Sequence, residues 1–145
     1  MDARNGVETP EIELSLPARA ENVAVVRHAL GALGETLDID SETLSDVKLA
    51  ITEACTNVVV HAYDGDGEGP MEVAASIQPG DVLTVVVRDN GRGIAPRADT
   101  PGLGLGLPLI ATLSESVELT RNPDDQTEVR MTFRLDGSGA KPDGQ

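Results

Sequence analysis

The sequence predicts one α+β domain, in which amphipathic helices pack on a mostly antiparallel sheet. Three features of the pattern predict it. Residues 41–63 carry apolar side chains at three- and four-residue intervals, as a helix with one buried face does. Residues 71–78 and 82–88 alternate apolar and polar positions on either side of a Pro-Gly-Asp turn. Residues 117–121 and 128–135 repeat that arrangement and predict a second strand pair.

The segments before the central helix follow in a simple order. Residues 1–10 are polar, have no periodicity and are expected to be a flexible N-terminus. Glu11–Leu16 alternates as a half-buried strand does. Residues 21–34 have the spacing of a first helix, with Gly34 as its C-terminal stop. Ser41 is expected to cap the N-terminus of the central helix.

The segments after the central helix complete the domain. Residues 64–70 are rich in glycine and aspartate and predict a loop between helix and sheet. A short helix is expected over residues 105–114. Residues 136–145 are a tail of glycine, proline and charged residues that is expected to be disordered. The folded domain is therefore predicted to span residues 11–135.

Composition and charge narrow the classes of function. The formal net charge of −14 argues against partners that are themselves anionic, such as nucleic acids and membrane surfaces. The only aromatic residues are Tyr63 and Phe133, too few for a platform on which nucleobases stack. The single cysteine, Cys55, falls beside the apolar face of the central helix and is expected to be a buried thiol. No signal peptide or bilayer-spanning apolar run is visible, which favours the cytoplasm.

Three polar residues of the central helix form a row beside its apolar face. Glu53, Asn57 and His61 are spaced four residues apart, so they lie nearly above one another on a helix. A carboxylate and an amide oxygen in such a row could hold a hydroxyl next to a cation that prefers oxygen ligands. The alternative for this stretch alone is a solvated helix face.

Two glycine clusters follow the second predicted hairpin strand. The strand ends at Asp89, on the same face as its apolar residues, and leads into Gly91 and Gly93. A second cluster, Gly102-Leu103-Gly104-Leu105-Gly106, runs into a helix, where free N–H groups favour an anion. The fingerprints of P-loop and Rossmann nucleotide sites are absent, and two histidines and one cysteine disfavour a zinc site.

The order of these segments resembles that of a known superfamily of ATP-binding domains. A helix with Glu53 and Asn57, then Asp-x-Gly-x-Gly after a strand, then Gly-x-Gly opening a helix, resembles the ATP-binding domain of the GHKL superfamily. The runs Glu53–Asn57 and His61–Tyr63 are similar, more narrowly, to the bacterial anti-sigma-factor serine/threonine-protein kinases of sporulation and general stress response. Over residues 11–135 the resemblance implies a two-layer α/β sandwich of the Bergerat type, with a mixed, mostly antiparallel sheet and helices on one face.

The resemblance implies an ATP and Mg²⁺ site and assigns its residues. Asn57 matches a magnesium ligand, and Glu53 matches the general base for the attacking hydroxyl. Asp89 matches the acceptor for the adenine amino group. The other matched nucleotide-binding positions are His61, Gly91, Gly93, Gly102, Leu103, Gly104, Leu105, Gly106 and Thr127, the last of which helps to hold adenine through water.

The partners implied are a sigma factor, which the protein sequesters, and an anti-sigma-factor antagonist, which it phosphorylates on a serine. A homodimer is implied too, with the first strand or first helix as its expected surface. Two alternatives remain open: a nucleotide-gated regulator that binds a partner without transferring phosphate, and the catalytic fragment of a histidine kinase.

One departure from the family concerns the lid over the phosphates. Only residues 94–101 separate the two glycine clusters, a shorter segment than many relatives have. Arg92 and Arg97 are the only basic residues of the glycine-rich run 89–107, and each is either a ligand of the γ-phosphate or a solvated loop residue.

Overall fold

The domain is a five-stranded sheet with helices on one face. The computed structural model describes residues 10–63, 69–91 and 106–135, with Gly106 described by its backbone alone. The elements in chain order are β1 (Ile12–Pro17), α1 (Ala20–Thr36), α2 (Ser41–Asn57), a π-helical turn (Val58–Ala62), β2 (Pro70–Gln78), β3 (Val82–Asp89), α3 (Gly106–Leu113), β4 (Ser116–Arg121) and β5 (Thr127–Arg134).

The strands lie in the order β1-β2-β3-β5-β4, and all the pairings among them are antiparallel. The prediction of an α+β fold with helices on one face is confirmed, as are both predicted strand pairs. The parallel pairing that a mixed sheet would contain does not occur among the described strands. The predicted tails, residues 1–10 and 136–145, lie outside the described residues except for Pro10.

The core forms where alternate side chains of the central strands meet the helices. Successive side chains of a strand point to opposite faces, so one face of β2, β3 and β5 carries the apolar residues of the core. They are Met71, Val73 and Ala75, then Leu83, Val85 and Val87, then Val129, Met131 and Phe133. Val26 of α1, Ile51 of α2 and Ile110 of α3 belong to the same cluster, so all three helices cover this face. None of the helices in the described ranges is long and apolar enough to cross a membrane.

The first helix does not stop at Gly34, as the sequence analysis expected, but continues to Thr36. It ends in a Schellman motif, in which Asp38 N donates to Glu35 O at 3.2 Å and Ile39 N donates to Gly34 O at 2.9 Å. Asp38, with φ of 61°, takes the left-handed position that was assigned to glycine. Gly34 is instead buried inside the helix.

The central helix is capped one residue earlier than predicted. Asp40 has an extended backbone, and its Oδ1 accepts hydrogen bonds from Glu42 N at 2.8 Å and Thr43 N at 3.2 Å. Ser41 is the first helical residue, so its assignment as the cap was wrong. Both residue types make good N-caps, and the carboxylate that reaches two free amides is the one used.

The end of the central helix also differs from the prediction. Residues 41–63 were expected to form one α-helix, but the α-helix ends at Asn57 and Val58–Ala62 form a π-helical turn. Tyr63 follows with a non-helical backbone. A π turn holds one residue more than an α turn in nearly the same space, and such turns are frequent at functional sites.

Gly34 is required for close packing of α1 against α2. A Cβ atom at Gly34 would overlap Leu44 Cδ1 and lie 2.8 Å from Leu44 Cδ2, so the leucine would have to move. We expect Gly34→Ala to lower the free energy of unfolding by about 1–2 kcal/mol, because overpacking outweighs the gain in helix propensity. Urea denaturation measures this.

Gly31 of the same helix is the matched control. A Cβ atom there would lie 3.8 Å from the nearest atoms of Lys48, an ordinary contact. Gly31→Ala is expected to raise the free energy of unfolding by about 0.5–1 kcal/mol. Equal effects of the two substitutions would contradict the packing argument.

Candidate functional site

Asp89 and Thr127 form a polar pair at the end of the apolar core. Asp89 is the last residue of β3 and Thr127 the first of β5, and they are direct partners in the antiparallel register. Their exposed fractions are 3% and 4%, although both are polar. Gly91 N donates to Asp89 Oδ1 at 3.0 Å. The predicted placement of a carboxylate on the core side of the strand is confirmed.

The surroundings of Asp89 oppose its ionisation only in part. Burial raises the pKa of its carboxyl group, whereas the Gly91 amide and the nearby Arg121 guanidinium lower it. Among the described residues the side chain of Asp89 has no ion-pair partner, and it accepts a hydrogen bond from Gly91 N. The carboxylate therefore keeps capacity to accept a further hydrogen bond from a ligand.

Arg121 was not among the predicted site residues. It is the last residue of β4 and pairs with Thr127 across the sheet, where its Nη1 donates to Thr127 Oγ1 at 2.8 Å. Because this bond uses a lone pair of the hydroxyl, the Thr127 proton remains to be donated elsewhere. The sequence held a signal for Arg121, since it ends one predicted strand just before a short turn into the next.

Tyr63 is the second residue whose role the sequence analysis missed. Its hydroxyl donates to Pro70 O at 2.6 Å and accepts from Asn90 N at 2.7 Å. The ring therefore connects the end of the π turn, the start of β2 and the turn that follows Asp89. The sequence showed only that Tyr63 ends the central helical segment.

The row of polar residues on the central helix is partly retained. Glu53 and Asn57 lie one turn apart on α2, whereas His61 lies in the π turn. Glu53 and His61 are half-buried, and neither side chain has a hydrogen bond or ion pair with another described residue. Glu53 thus presents a carboxylate that no protein group occupies in the described structure.

Asn57 has the property expected of a residue that meets a ligand. It is 8% exposed, and its Nδ2 has no hydrogen-bond partner among the described residues. Burying an amide without a partner costs about 1–3 kcal/mol, so a partner in the bound state would recover this.

The residues fit a magnesium ion shared with phosphates rather than one held by the protein alone. No group of three or more His, Cys, Asp or Glu residues in the described ranges could hold a metal. Mg²⁺ usually keeps several waters and takes one or two protein oxygens together with substrate phosphates. The amide oxygen of Asn57 and the unoccupied carboxylate of Glu53 are the oxygen ligands that suit such a shared site, whereas the orphaned Nδ2 of Asn57 is a donor and suits a phosphate oxygen.

Several predicted site residues lie outside the described part of the chain. These are Arg92, Gly93, Arg97, Gly102, Leu103, Gly104 and Leu105. Gly106 is the first residue of α3, in agreement with a glycine cluster that opens a helix. Cys55 is fully buried, and burial raises the pKa of its thiol to about 12, which confirms the prediction of an inert core thiol.

The raised pKa of Asp89 predicts that the carboxylate lowers stability at neutral pH. A group whose pKa is raised in the folded state contributes stability below its unfolded pKa and loses it as the pH rises through the folded pKa. We expect Asp89→Asn, which removes the charge, to raise the thermal midpoint at pH 7. The difference should shrink as the pH falls through the folded pKa and vanish below about 4, where the unfolded group is protonated too.

Calorimetric unfolding between pH 3 and pH 8 measures this difference. Glu118→Gln, which removes an exposed carboxylate from β4, is the control and should show no such gain. An Asp89→Asn midpoint equal to or below that of the wild-type protein at pH 7 would contradict the expectation.

Comparisons with known proteins identify relatives that are named as ATPase domains and protein kinases. Residues 16–133 match the model of the histidine kinase-like ATPase domain. The chain is similar to the serine-protein kinase RsbW of Bacillus mycoides strain KBAB4, with 31% identity over 92% of the chain and 91% of that relative.

Two solved structures are similar in fold. The structure of the RsbU and RsbW domains of Rv1364c from Mycobacterium tuberculosis matches with a TM-score of 0.70 and 24% identity, over 89% of this chain. This chain spans 33% of that one. The Erythrobacter litoralis EL346 blue-light activated histidine kinase matches with a TM-score of 0.60 and 26% identity, over 72% of this chain and 34% of that chain.

Proposed function

The chain belongs to the histidine kinase-like ATPase family and, within it, to the RsbW serine-protein kinases, and from this premise we propose that it is an anti-sigma factor that uses ATP to phosphorylate a serine of an antagonist protein. The relatives named serine-protein kinase match nearly their whole length, whereas the histidine kinase matches over about a third of its own. This difference favours the serine kinase over a histidine kinase fragment.

One observation carries the nucleotide part of the proposal. Asp89 is a carboxylate at the end of the core, with one hydrogen bond from Gly91 and no ion-pair partner among the described residues. Adenine presents an amino group where guanine presents a carbonyl oxygen, so a buried acceptor selects adenine. Thr127, whose lone pair is used by Arg121, has its proton left to donate toward the ring or a bridging water.

Glu53 is the general base of the proposed reaction. Its carboxylate would take the proton of the serine hydroxyl while the serine oxygen forms a bond to the γ-phosphorus of ATP. The bond from that phosphorus to the bridging oxygen breaks, and ADP leaves with the electron pair. Glu53 is positioned for this because it lies one helical turn from Asn57, the proposed metal ligand.

Mg²⁺ would be held by Asn57 Oδ1 together with the phosphates and water. When bound, the ion neutralises charge on the transferring phosphoryl group. The protein's own contribution is the fixed position of Asn57, which is 8% exposed near the end of α2. His61 belongs to the same proposed nucleotide site, in the turn that follows.

The proposed partners are a sigma factor, held in the inactive state, and the antagonist that displaces it. A phosphate on the antagonist's serine adds negative charge next to a strongly acidic protein, and repulsion would release the product. A homodimer is proposed as the working form, with β1 or α1 as the contact surface. Light scattering tests the dimer, since a monomer at high concentration would remove it.

A substitution at Glu53 separates catalysis from binding. We expect Glu53→Gln to lower the rate of phosphate transfer from ATP to the antagonist protein of the same organism by about 10²- to 10⁴-fold, because the general base is lost. ATP affinity should change little. Glu42→Gln, in the exposed first turn of the same helix, is the matched control and should keep both properties. Transfer that survives Glu53→Gln unchanged would favour the non-catalytic regulator.

Calorimetric titration tests the nucleotide site without a partner protein. ATP and ADP should bind and GTP should bind more weakly, and Mg²⁺ should strengthen the binding of ATP. We expect Asp89→Asn to weaken ATP binding by about 5- to 100-fold, as the loss of a buried hydrogen bond would. Equal affinities for ATP and GTP in the wild-type protein would contradict the assignment of Asp89.

A further inference from the structure

Tyr63 lies where three parts of the proposed adenine site meet. Its hydroxyl donates to Pro70 O at 2.6 Å, at the start of β2, and accepts from Asn90 N at 2.7 Å. Asn90 directly follows Asp89, and Gly91 N returns to Asp89 Oδ1 at 3.0 Å. One phenol oxygen thus ties the turn that carries the carboxylate to the neighbouring strand and to the end of the central helix.

Two glycines make room for this arrangement. A Cβ atom at Gly69 would overlap the Tyr63 ring, and its distance to Cδ1 would be 2.8 Å. A Cβ atom at Gly91 would overlap the Ala62 carbonyl oxygen and lie 3.0 Å from Tyr63 Cδ1. The ring is therefore packed closely against both glycines, so its hydroxyl has little freedom to leave the two backbone groups.

We propose that Tyr63 is a positioning residue for adenine recognition, which acts by holding the turn of residues 89–91 so that the Asp89 carboxylate faces the base. The inference rests on the proposed adenine role of Asp89. Tyr63 contacts no reacting atom, so its effect should appear in nucleotide binding and base selectivity, with the chemical step left unchanged.

The geometry explains why a hydroxyl is required there and not only a ring. Phenylalanine would fill the same space, but it would leave Asn90 N and Pro70 O without the partner they share. The turn would then be free to move while the core packing of α2 stayed intact. Motion of this turn would lower the fraction of molecules in which Asp89 faces the base.

Tyr63→Phe is the direct test. We expect the dissociation constant for ADP and the KM for ATP to rise about five- to tenfold, the equivalent of roughly one hydrogen bond, with kcat within twofold of the wild-type value. Binding of GTP, which does not use the carboxylate as an acceptor, should change less, so the ratio of ATP to GTP affinity should fall. Thr36→Val removes a hydroxyl that donates to Ala32 O at 3.0 Å, far along α1, and is the matched control.

The double variant Tyr63→Phe/Asp89→Asn tests whether Tyr63 acts through Asp89. Tyr63→Phe should have little further effect on ADP binding once the carboxylate is removed. An additive loss, or wild-type ADP affinity in Tyr63→Phe, would overturn the inference. Unchanged ADP binding in Asp89→Asn alone would instead refute the adenine role of Asp89, and with it the proposed nucleotide site.

A spectroscopic measurement keeps the inference testable if Tyr63→Phe does not fold. Tyr63 is the only tyrosine of the chain, so labelling with 3-fluorotyrosine gives one ¹⁹F resonance from an otherwise unchanged protein. Saturating ADP should shift this resonance, and the shift should be smaller for Asp89→Asn at the same fractional saturation. A resonance that does not respond to ADP would overturn the inference.

Discussion

The burial of the Asp89 carboxylate is the constraint on which the site depends. The strand that carries it otherwise sends Leu83, Val85 and Val87 into the core, so the carboxylate closes an apolar row. A salt bridge at this point would neutralise the charge and occupy the acceptor oxygens that a ligand needs. The structure instead supplies one backbone amide, from Gly91, and the Arg121 guanidinium, which lowers the pKa of Asp89 without forming an ion pair with it. These two groups offset part of the effect of burial, so the Asp89 carboxylate can still ionise and accept a hydrogen bond.

The central helix joins the two ends of the proposed nucleotide site. Glu53 and Asn57 lie on its α-helical part, and Tyr63 follows the π turn and holds the turn after Asp89. Cys55 and Val58, fully buried between these residues, fix the helix against the sheet. The proposed general base and the tyrosine that holds the turn after Asp89 therefore lie on one continuous segment of the chain.

Regular patterns made most of the fold predictable. The alternation of β2 and β3 and the turn between them predicted the antiparallel hairpin, and the alternation predicted the inward position of Asp89, because a strand has only two faces. Helix ends were less predictable, since neighbouring residues competed for the same role. Asp40 and Ser41 are both good caps, and Gly34 is suited both to a stop and to close helix packing.

The parts of the site that were missed depend on tertiary contacts. The π turn has no periodicity signal within five residues, and Tyr63 reaches its partners at Pro70 and Asn90 only when the helix end meets the sheet. Arg121 was missed because its contact with Thr127 runs across a strand pair and not along a motif. The residues found from sequence, by contrast, belong to a spaced motif whose members were assigned by family resemblance.

The distribution of charge decides how an acidic chain of net charge −14 can bind a triphosphate. Several described arginines are engaged elsewhere: Arg88 with Glu128 at 2.8 Å, and Arg134 with Glu115 and Arg121 with Asp125, each at 3.1 Å. Arg121 also lies at the adenine end, beside Thr127, and not near Asn57. In the proposed site the phosphates would be neutralised by Mg²⁺, by backbone N–H groups and by any arginine, such as Arg92 or Arg97, that reaches the γ-phosphate.

The same charges act on the product of the proposed reaction. Screening at physiological salt limits repulsion between exposed charges to about 8 Å, so the total charge of the chain has little effect on a distant phosphate. The carboxylates that border the transferred group would matter most, and in the proposed reaction Glu53 is the first of them. Repulsion between Glu53 and the new phosphoserine would then let the proposed general base also favour release of the product.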